Sequence, residues 1–309
     1  MYSKWRTLLS LTLVVVLLTG CSTIVNNLTQ VAAVKQQPKK LTIEEVLSKA
    51  EQHLNQNGAR YQVSTYFNMH LKGPKALHEE KGEFAGTLKF QGNTDMSNNP
   101  RDFYSEGTLY TKSIEGFKEE KDELPTKLYH DGQRVYGSDD GDDWQSMDAS
   151  NNPIQGVFPH PAFPLHKLDD LSGQLAAWKK SKTIQMTETD QAYVIELKLD
   201  ENADITAQDT YLSDLKPYID KMKEEIGEDA KEHRFKSLTQ TITIDKNAFA
   251  PKEMTYELQA VLPVEADNGV RAKVNFVHRF EATWKGKHPG KIQVPEDVKN
   301  HAKEVSNIW

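Results

Sequence analysis

A single thiol, Cys21, is the side chain of this 309-residue chain best suited to covalent chemistry. With no second cysteine there is no disulfide and no cysteine-only metal cage. A thiolate is instead a nucleophile that can be alkylated. The other chemistry-bearing groups form weaker patterns. Asp139-Asp140-Gly141-Asp142-Asp143 gathers carboxylates that a hard cation favours, but it lacks the alternating ligand spacing and distal Glu of a calcium loop. It reads as a solvated hairpin turn. His160 and His166 flank prolines, and neither has a partner at zinc-ligand spacing. Ser213-Asp214-Leu215-Lys216 matches Ser-x-x-Lys, yet the Ser-Asp-Asn and Lys-Thr-Gly partners that give the motif meaning are missing. The polar face of a helix accounts for it. No Gly-x-Ser-x-Gly elbow and no phosphate loop occur. The expectation is a protein that is not an enzyme, with no catalytic residue, no metal and no cofactor.

The setting of Cys21 gives the thiol its use. Lys4 and Arg6 open the chain, Leu8 to Leu18 form an apolar run, and Thr19-Gly20 precede the cysteine. That is a secretory leader. A membrane span needs ~20 apolar residues, and this run is too short. Leu18-Thr19-Gly20-Cys21 resembles the bacterial lipobox. The resemblance implies a diacylglycerol thioether on Cys21 and cleavage after Gly20. It divides the chain into a signal peptide over 1–20, a lipidated cysteine and flexible tether over 21–40, and a folded domain over 41–309. Loss of residues 1–20 takes the net charge from −7 to −9, since only Lys4 and Arg6 are charged there. So acidic a chain is a poor partner for nucleic acid or for anionic lipid surfaces. The lipid on Cys21 is thus the expected link to the cell membrane, on its extracytoplasmic face.

The elements that must position any site begin at Leu41. Thr42 and Glu45 form a capping box, Ile43, Val46, Leu47, Ala50 and Leu54 recur at helical spacing, and Gly58 supplies the stop. Alternation then predicts strands. Tyr61, Val63, Thr65, Phe67, Met69 and Leu71 share one face, and Phe84, Leu88 and Phe90 repeat the pattern. A less regular strand covers 103–113, and Asp131-Gly132 is expected to close a hairpin of 127–130 with 133–137 through a type I′ turn. Four prolines exclude a ladder from 151–166. A short helix is predicted over 169–179, strands over 182–188 and 193–199, and a helix over 205–226 kinked at Pro217. Strands over 235–245, 254–262 and 272–284 follow, then a turn of helix within 298–305.

Roughly nine strands with one apolar face each describe an antiparallel sheet with water on one side. The fold class expected is α+β, a curved antiparallel half-barrel covered by two or three amphipathic helices. A wide sheet over few helices leaves gaps, and apolar gaps bind hydrophobic ligands. Phe67, Phe84, Phe90, Phe276, Phe280 and Trp284 line the expected cavity from the sheet, with Leu215, Ile219 and Met222 opposite. Ordinary core is the competing reading for each alone. The pattern Tyr129-His130-Asp131-Gly132, Val135-Tyr136 and Trp144, with the tail Lys291-Ile292-Gln293-Val294-Pro295-Glu296-Asp297-Val298-Lys299, resembles a group of uncharacterised Gram-positive lipoproteins. Their fold is similar to that of the LolA/LppX lipoprotein and lipid carriers. The resemblance implies an apolar cavity that holds acyl chains. Anchorage favours a stationary acceptor, donor or sensor over a free shuttle. The alternative is an anchored envelope interaction module with no small ligand.

Overall fold

The computed structural model describes residues 40–72, 83–98, 102–116, 118–148, 171, 175, 179, 184–201, 234–265, 271–288 and 290–305. The leader, the tether, the proline-rich segment 151–166 and the expected helix over 205–226 lie outside them. Helix α1 runs from Ile43 to Asn57. Its capping box forms as the sequence predicts: the Glu45 N–H donates to Thr42 Oγ1 at 3.3 Å, and the Thr42 N–H donates to Glu45 Oε2 at 2.8 Å. Val46, Leu47, Ala50 and Leu54 are buried as one stripe. Gly58 ends the helix at φ 58°, ψ −174°, and its N–H donates to the Leu54 carbonyl at 2.8 Å.

Among the described residues twelve strands make one sheet. They are β1 (Ala59–Lys72), β2 (Glu83–Met96), β3 (Asp102–Gly116), β4 (Lys118–Asp131), β5 (Arg134–Ser138), β6 (Gln145–Asp148), β7 (Ile184–Glu188), β8 (Ala192–Asp200), β9 (Arg234–Asp245), β10 (Pro251–Glu265), β11 (Arg271–Gly286) and β12 (Lys303–Glu304). The order is β12-β6-β5-β4-β3-β2-β1-β11-β10-β9-β8-β7. Two meanders therefore run outward from a central antiparallel pair, β1 with β11. Odd residues of β1 and even residues of β11 and β10 share the buried interior face. Tyr61, Val63, Phe67, Phe276, Phe280, Met254 and Leu258 are all buried there. Leu171 and Leu175, both helical and four apart, are buried as well, and the helical Lys179 pairs with Glu44 of α1.

This corrects the expected half-barrel under two or three helices. The described residues are mostly strand, in a single twelve-stranded sheet. Among the described residues α1 is the long helix, and the short α2 (Glu296–His301) does not cover the interior face. Instead Val294 and Val298 are buried with Tyr136 on the opposite face, where Tyr129, Trp144 and Ala302 pack against them. The chain then adds β12 in parallel to β6, with Lys303↔Gln145 and Glu304↔Ser146. A short parallel strand of this kind covers an edge that would otherwise template aggregation. The physical cause of the correction is strand length. β1 to β4 hold 14 or 15 residues each, so each hairpin extends the same sheet outward.

The β4–β5 hairpin also differs in detail. His130 pairs with Val135, so Gly132 and Gln133 are its central residues. Only Gly132 has positive φ, at 83°. A type I′ turn needs positive φ at both central residues, so the type I′ turn expected for Asp131-Gly132 does not form. Asp131 Oδ1 closes the corner by accepting from the N–H groups of Gln133 and Arg134 at 3.0 and 2.8 Å.

Gly58 is the tightest point of the α1–β1 junction. A Cβ there would lie 2.6 Å from the carbonyl oxygens of both His288 and Met96, in a backbone conformation that is nearly glycine-only. Gly58→Ala is expected to cost about 3 kcal/mol of stability, against about 1 kcal/mol for loss of the cap in Thr42→Ala. Urea denaturation of both variants measures the two costs, and equal midpoints would contradict the junction described. The junction also carries a histidine, His53 of α1, whose pKa is lowered chiefly by burial and next by the Lys287 charge. Its unfolded form therefore takes a proton first as pH falls, so stability is full above the free histidine value of ~6.5 and declines below it. Urea midpoints measured across that pH are expected to fall less steeply in His53→Leu than in the parent chain.

Candidate functional site

Register brings the interior side chains into rows. One row reads Phe90, Thr65, Phe280, Tyr256, Gln240 and Leu197 across β2, β1, β11, β10, β9 and β8. The next reads Leu88, Phe67, His278, Leu258, Leu238 and Leu199. Aromatic rings interlock across the strands: Phe67 lies 6.3 Å from both Phe276 and His278, and Tyr256 meets the His278 ring edge-on at 5.3 Å. Phe90 owes its place to two glycines. Gly92 and Gly107 face each other on β2 and β3, and a Cβ on either would fall within 2.7 Å of the Phe90 ring tip.

Polar atoms interrupt this apolar surface. Thr65, Gln240 and His278 are buried at 0, 3 and 2 % exposure. Among the described residues Thr65 Oγ1 and Gln240 Oε1 have no hydrogen-bond partner. A buried unpaired hydroxyl or carbonyl costs about 1–3 kcal/mol, so such atoms are retained where they do something. Tyr61 shows the satisfied case at the end of the face. Its O–H donates to the Pro251 carbonyl at 3.0 Å, and complete burial pushes its pKa up. Trp284 marks the same end, half-buried, with Lys252 Nζ 3.3 Å from the centre of its ring.

Of the residues predicted to line a cavity, Phe67, Phe90, Phe276 and Phe280 are buried together on the interior face. Phe84 lies on β2 in phase with Phe90. Leu215, Ile219 and Met222 lie outside the described residues, as does Cys21. None of the nine lines the recess of about 300 Å³ that the structure forms on the opposite face of the sheet. Sequence reasoning passed over Gln240 and His278. Their signal was available: each is a polar residue in phase with the apolar positions of its strand.

The acidic run forms a closed turn. Asp140 Oδ1 accepts from the N–H groups of Asp142 and Asp143 at 2.8 and 2.9 Å and from Ser138 Oγ at 3.0 Å. Those bonds, the Asp142 amide first, hold the Asp140 carboxyl below its ordinary range. Its lone pairs serve the backbone of the turn.

Two substitutions separate packing from the polar atoms. Phe280→Ala is expected to cost about 3–5 kcal/mol, as a large aromatic lost from a packed interior. Thr65→Val removes an unpaired buried hydroxyl and keeps the strand-favouring branch, so it is expected to stabilise by about 1 kcal/mol. A destabilised Thr65→Val chain in urea titration would mean that the hydroxyl is already satisfied.

Among known proteins, no curated protein matches the chain. Two solved structures give distant likenesses. A structure described as lipid–protein interactions in lipovitellin is 10% identical with a TM-score of 0.33, covering 76% of this chain and 26% of its own. The chain thus spans about a quarter of that protein's length. An acetoacetate decarboxylase-like enzyme from Sphingomonas wittichii RW1 is 8% identical with a TM-score of 0.12, covering 74% of this chain and 94% of its own. Neither score establishes a shared fold. The family model described as a family of unknown function, DUF6612, matches residues 42–303, from the capping threonine of α1 into β12, and the chain belongs to that family.

Proposed function

We propose that this chain is a lipoprotein held by lipid on Cys21 at the extracytoplasmic face of the cell membrane, where its domain binds a hydrophobic or amphiphilic ligand against the interior face of the sheet. The reading treats it as a binder rather than an enzyme. The observation that carries it is the aromatic row through Phe90, Phe280 and Tyr256, into which the unpartnered Thr65 Oγ1 and Gln240 Oε1 are set. An acyl chain gains about 25 cal/mol per Å² on such a surface, and a head group gives the two oxygens their missing donors. The likeness to LolA/LppX carriers enters here as a likeness of role, not of architecture.

Two measurements test the parts separately. For the anchor, a labelled fatty acid fed to cells is expected to mark the parent chain and not Cys21→Ser. Label on the variant would refute lipidation at that residue. For the ligand, organic extraction of the chain purified in neutral detergent is expected to release a non-covalent lipid, and Thr65→Val is expected to retain less of it. An extract that matches the detergent blank removes the ligand and leaves the anchor standing.

A further inference from the structure

A different surface carries the further inference. Four adjacent strands place eight outward-facing residues on a two-by-four grid around the 300 Å³ recess. One row is Val277, Asn68, Thr87 and Lys112, from β11 through β1 and β2 to β3. The second is Asn275, His70, Ala85 and Ile114 in the same strand order. The small side chains of β2, Ala85 and Thr87, form the floor, and the longer ones on β1, β3 and β11 form the walls. A volume near 300 Å³ stands at the lower end of the range for organic ligands.

The lining is chemically one-sided. None of the eight residues is acidic. Asn68 Nδ2 donates to Thr87 Oγ1 at 2.9 Å and to the Gly86 carbonyl at 3.3 Å. Thr87 Oγ1 is thereby an acceptor, and its own proton remains available for a guest. Lys112 reaches Glu119 at 3.1 Å, but Lys121 pairs with the same carboxylate. Those two bonds, Lys121 first, hold the Glu119 carboxyl below its ordinary range. Two ammonium groups on one carboxylate leave one positive charge in excess beside the recess. In the neighbouring row Arg279, Tyr66, Lys89 and Tyr110 follow in register, and Arg279 is paired with Glu257 at 2.8 Å. Lys89 has no ion pair among the described residues, and its ammonium sits 5.7 Å from the Tyr110 ring. In a chain of net charge −7 the recess thus carries no acid and borders an ammonium in excess.

We infer that the recess binds a small organic oxyanion, its carboxylate or phosphate head held by Lys112 and the Thr87 hydroxyl and its short organic body resting on Ala85, Ile114 and Val277. An ammonium group with no carboxylate in the lining suits an anion and repels a cation. The site is independent of any ligand on the interior face, since alternate residues of the same strands build the two surfaces.

The test is equilibrium dialysis of the full chain in neutral detergent against radiolabelled glycerol 3-phosphate and, separately, radiolabelled propionate. Saturable uptake of at least one is expected, weakened about ten-fold or more by Lys112→Gln and unchanged by Lys299→Gln on the distant α2. Lys112 is 40% exposed, so its replacement leaves folding intact. Asn275→Asp sets a carboxylate in the wall and is expected to abolish uptake. Uptake of one probe alone identifies the head group. Competition by dihexanoyl-phosphatidylglycerol identifies a lipid headgroup as its source, and lack of competition identifies a free metabolite. Any of these supports the site. No saturable uptake of either probe, or uptake equally strong in Lys112→Gln and Asn275→Asp, overturns it.

Discussion

The pairing of β1 with β11 is the contact on which the rest of the sheet depends. Thirteen residue pairs, Arg60↔Gly286 to Lys72↔Lys273, join segments some two hundred residues apart. Apart from β12 on β6, the remaining ladders join consecutive strands. Without that pairing the sheet separates into two meanders, β1–β6 and β7–β11, each with a long open edge. Bringing β1 to β11 costs loop-closure entropy before any cross-strand contact rewards it. Hairpins therefore form more readily than the join. The aromatic rows compensate for that cost, since Phe67, Phe276, Phe280 and Tyr61 all sit at or beside this one pairing.

Because successive strand residues face opposite ways, the same ladder builds two chemically different surfaces. Asn68 stands between Phe67 and Met69, and Phe276 stands between Asn275 and Val277. The inward set is aromatic and buried, whereas the outward set is polar and half-buried. Nearer the β6 edge the outward face changes character again. Tyr104, Tyr129 and Trp144 meet as tilted rings at 4.5 and 5.5 Å, and Val294 and Val298 are buried with Tyr136. The C-terminal segment is thus a cover for the outward face and a cap for an exposed edge.

Much of this was legible where one face of a strand is buried and the other wet. α1, with its capping box and Gly58 stop, and the strands β1, β8, β10 and β11 follow directly from their periodicity. The signal failed where burial did not alternate. Residues 118–123 of β4 are exposed on both faces, so a long strand leaves no apolar rhythm to read. β12 is two residues long and held by an edge, which no local pattern announces. Turn type depended on which residue pairs closed the ladder, and those were invisible before the register of β4 and β5 was known. The eight residues of the recess are dispersed over some two hundred positions, so only strand order brings them together.

That alternation decides how far any effect on one face reaches the other. A shortened side chain at Lys112 changes charge on the outward face and removes no interior volume, because its neighbours Thr111 and Ser113 carry the inward positions. A shortened ring at Phe276 leaves a void that both flanking outward residues feel through the backbone. Coupling between the surfaces is therefore asymmetric. Interior packing holds the strands in place for the recess, while the recess contributes little to the packing. The stability of the domain is set on the inward side, and the outward side is freer to vary its chemistry.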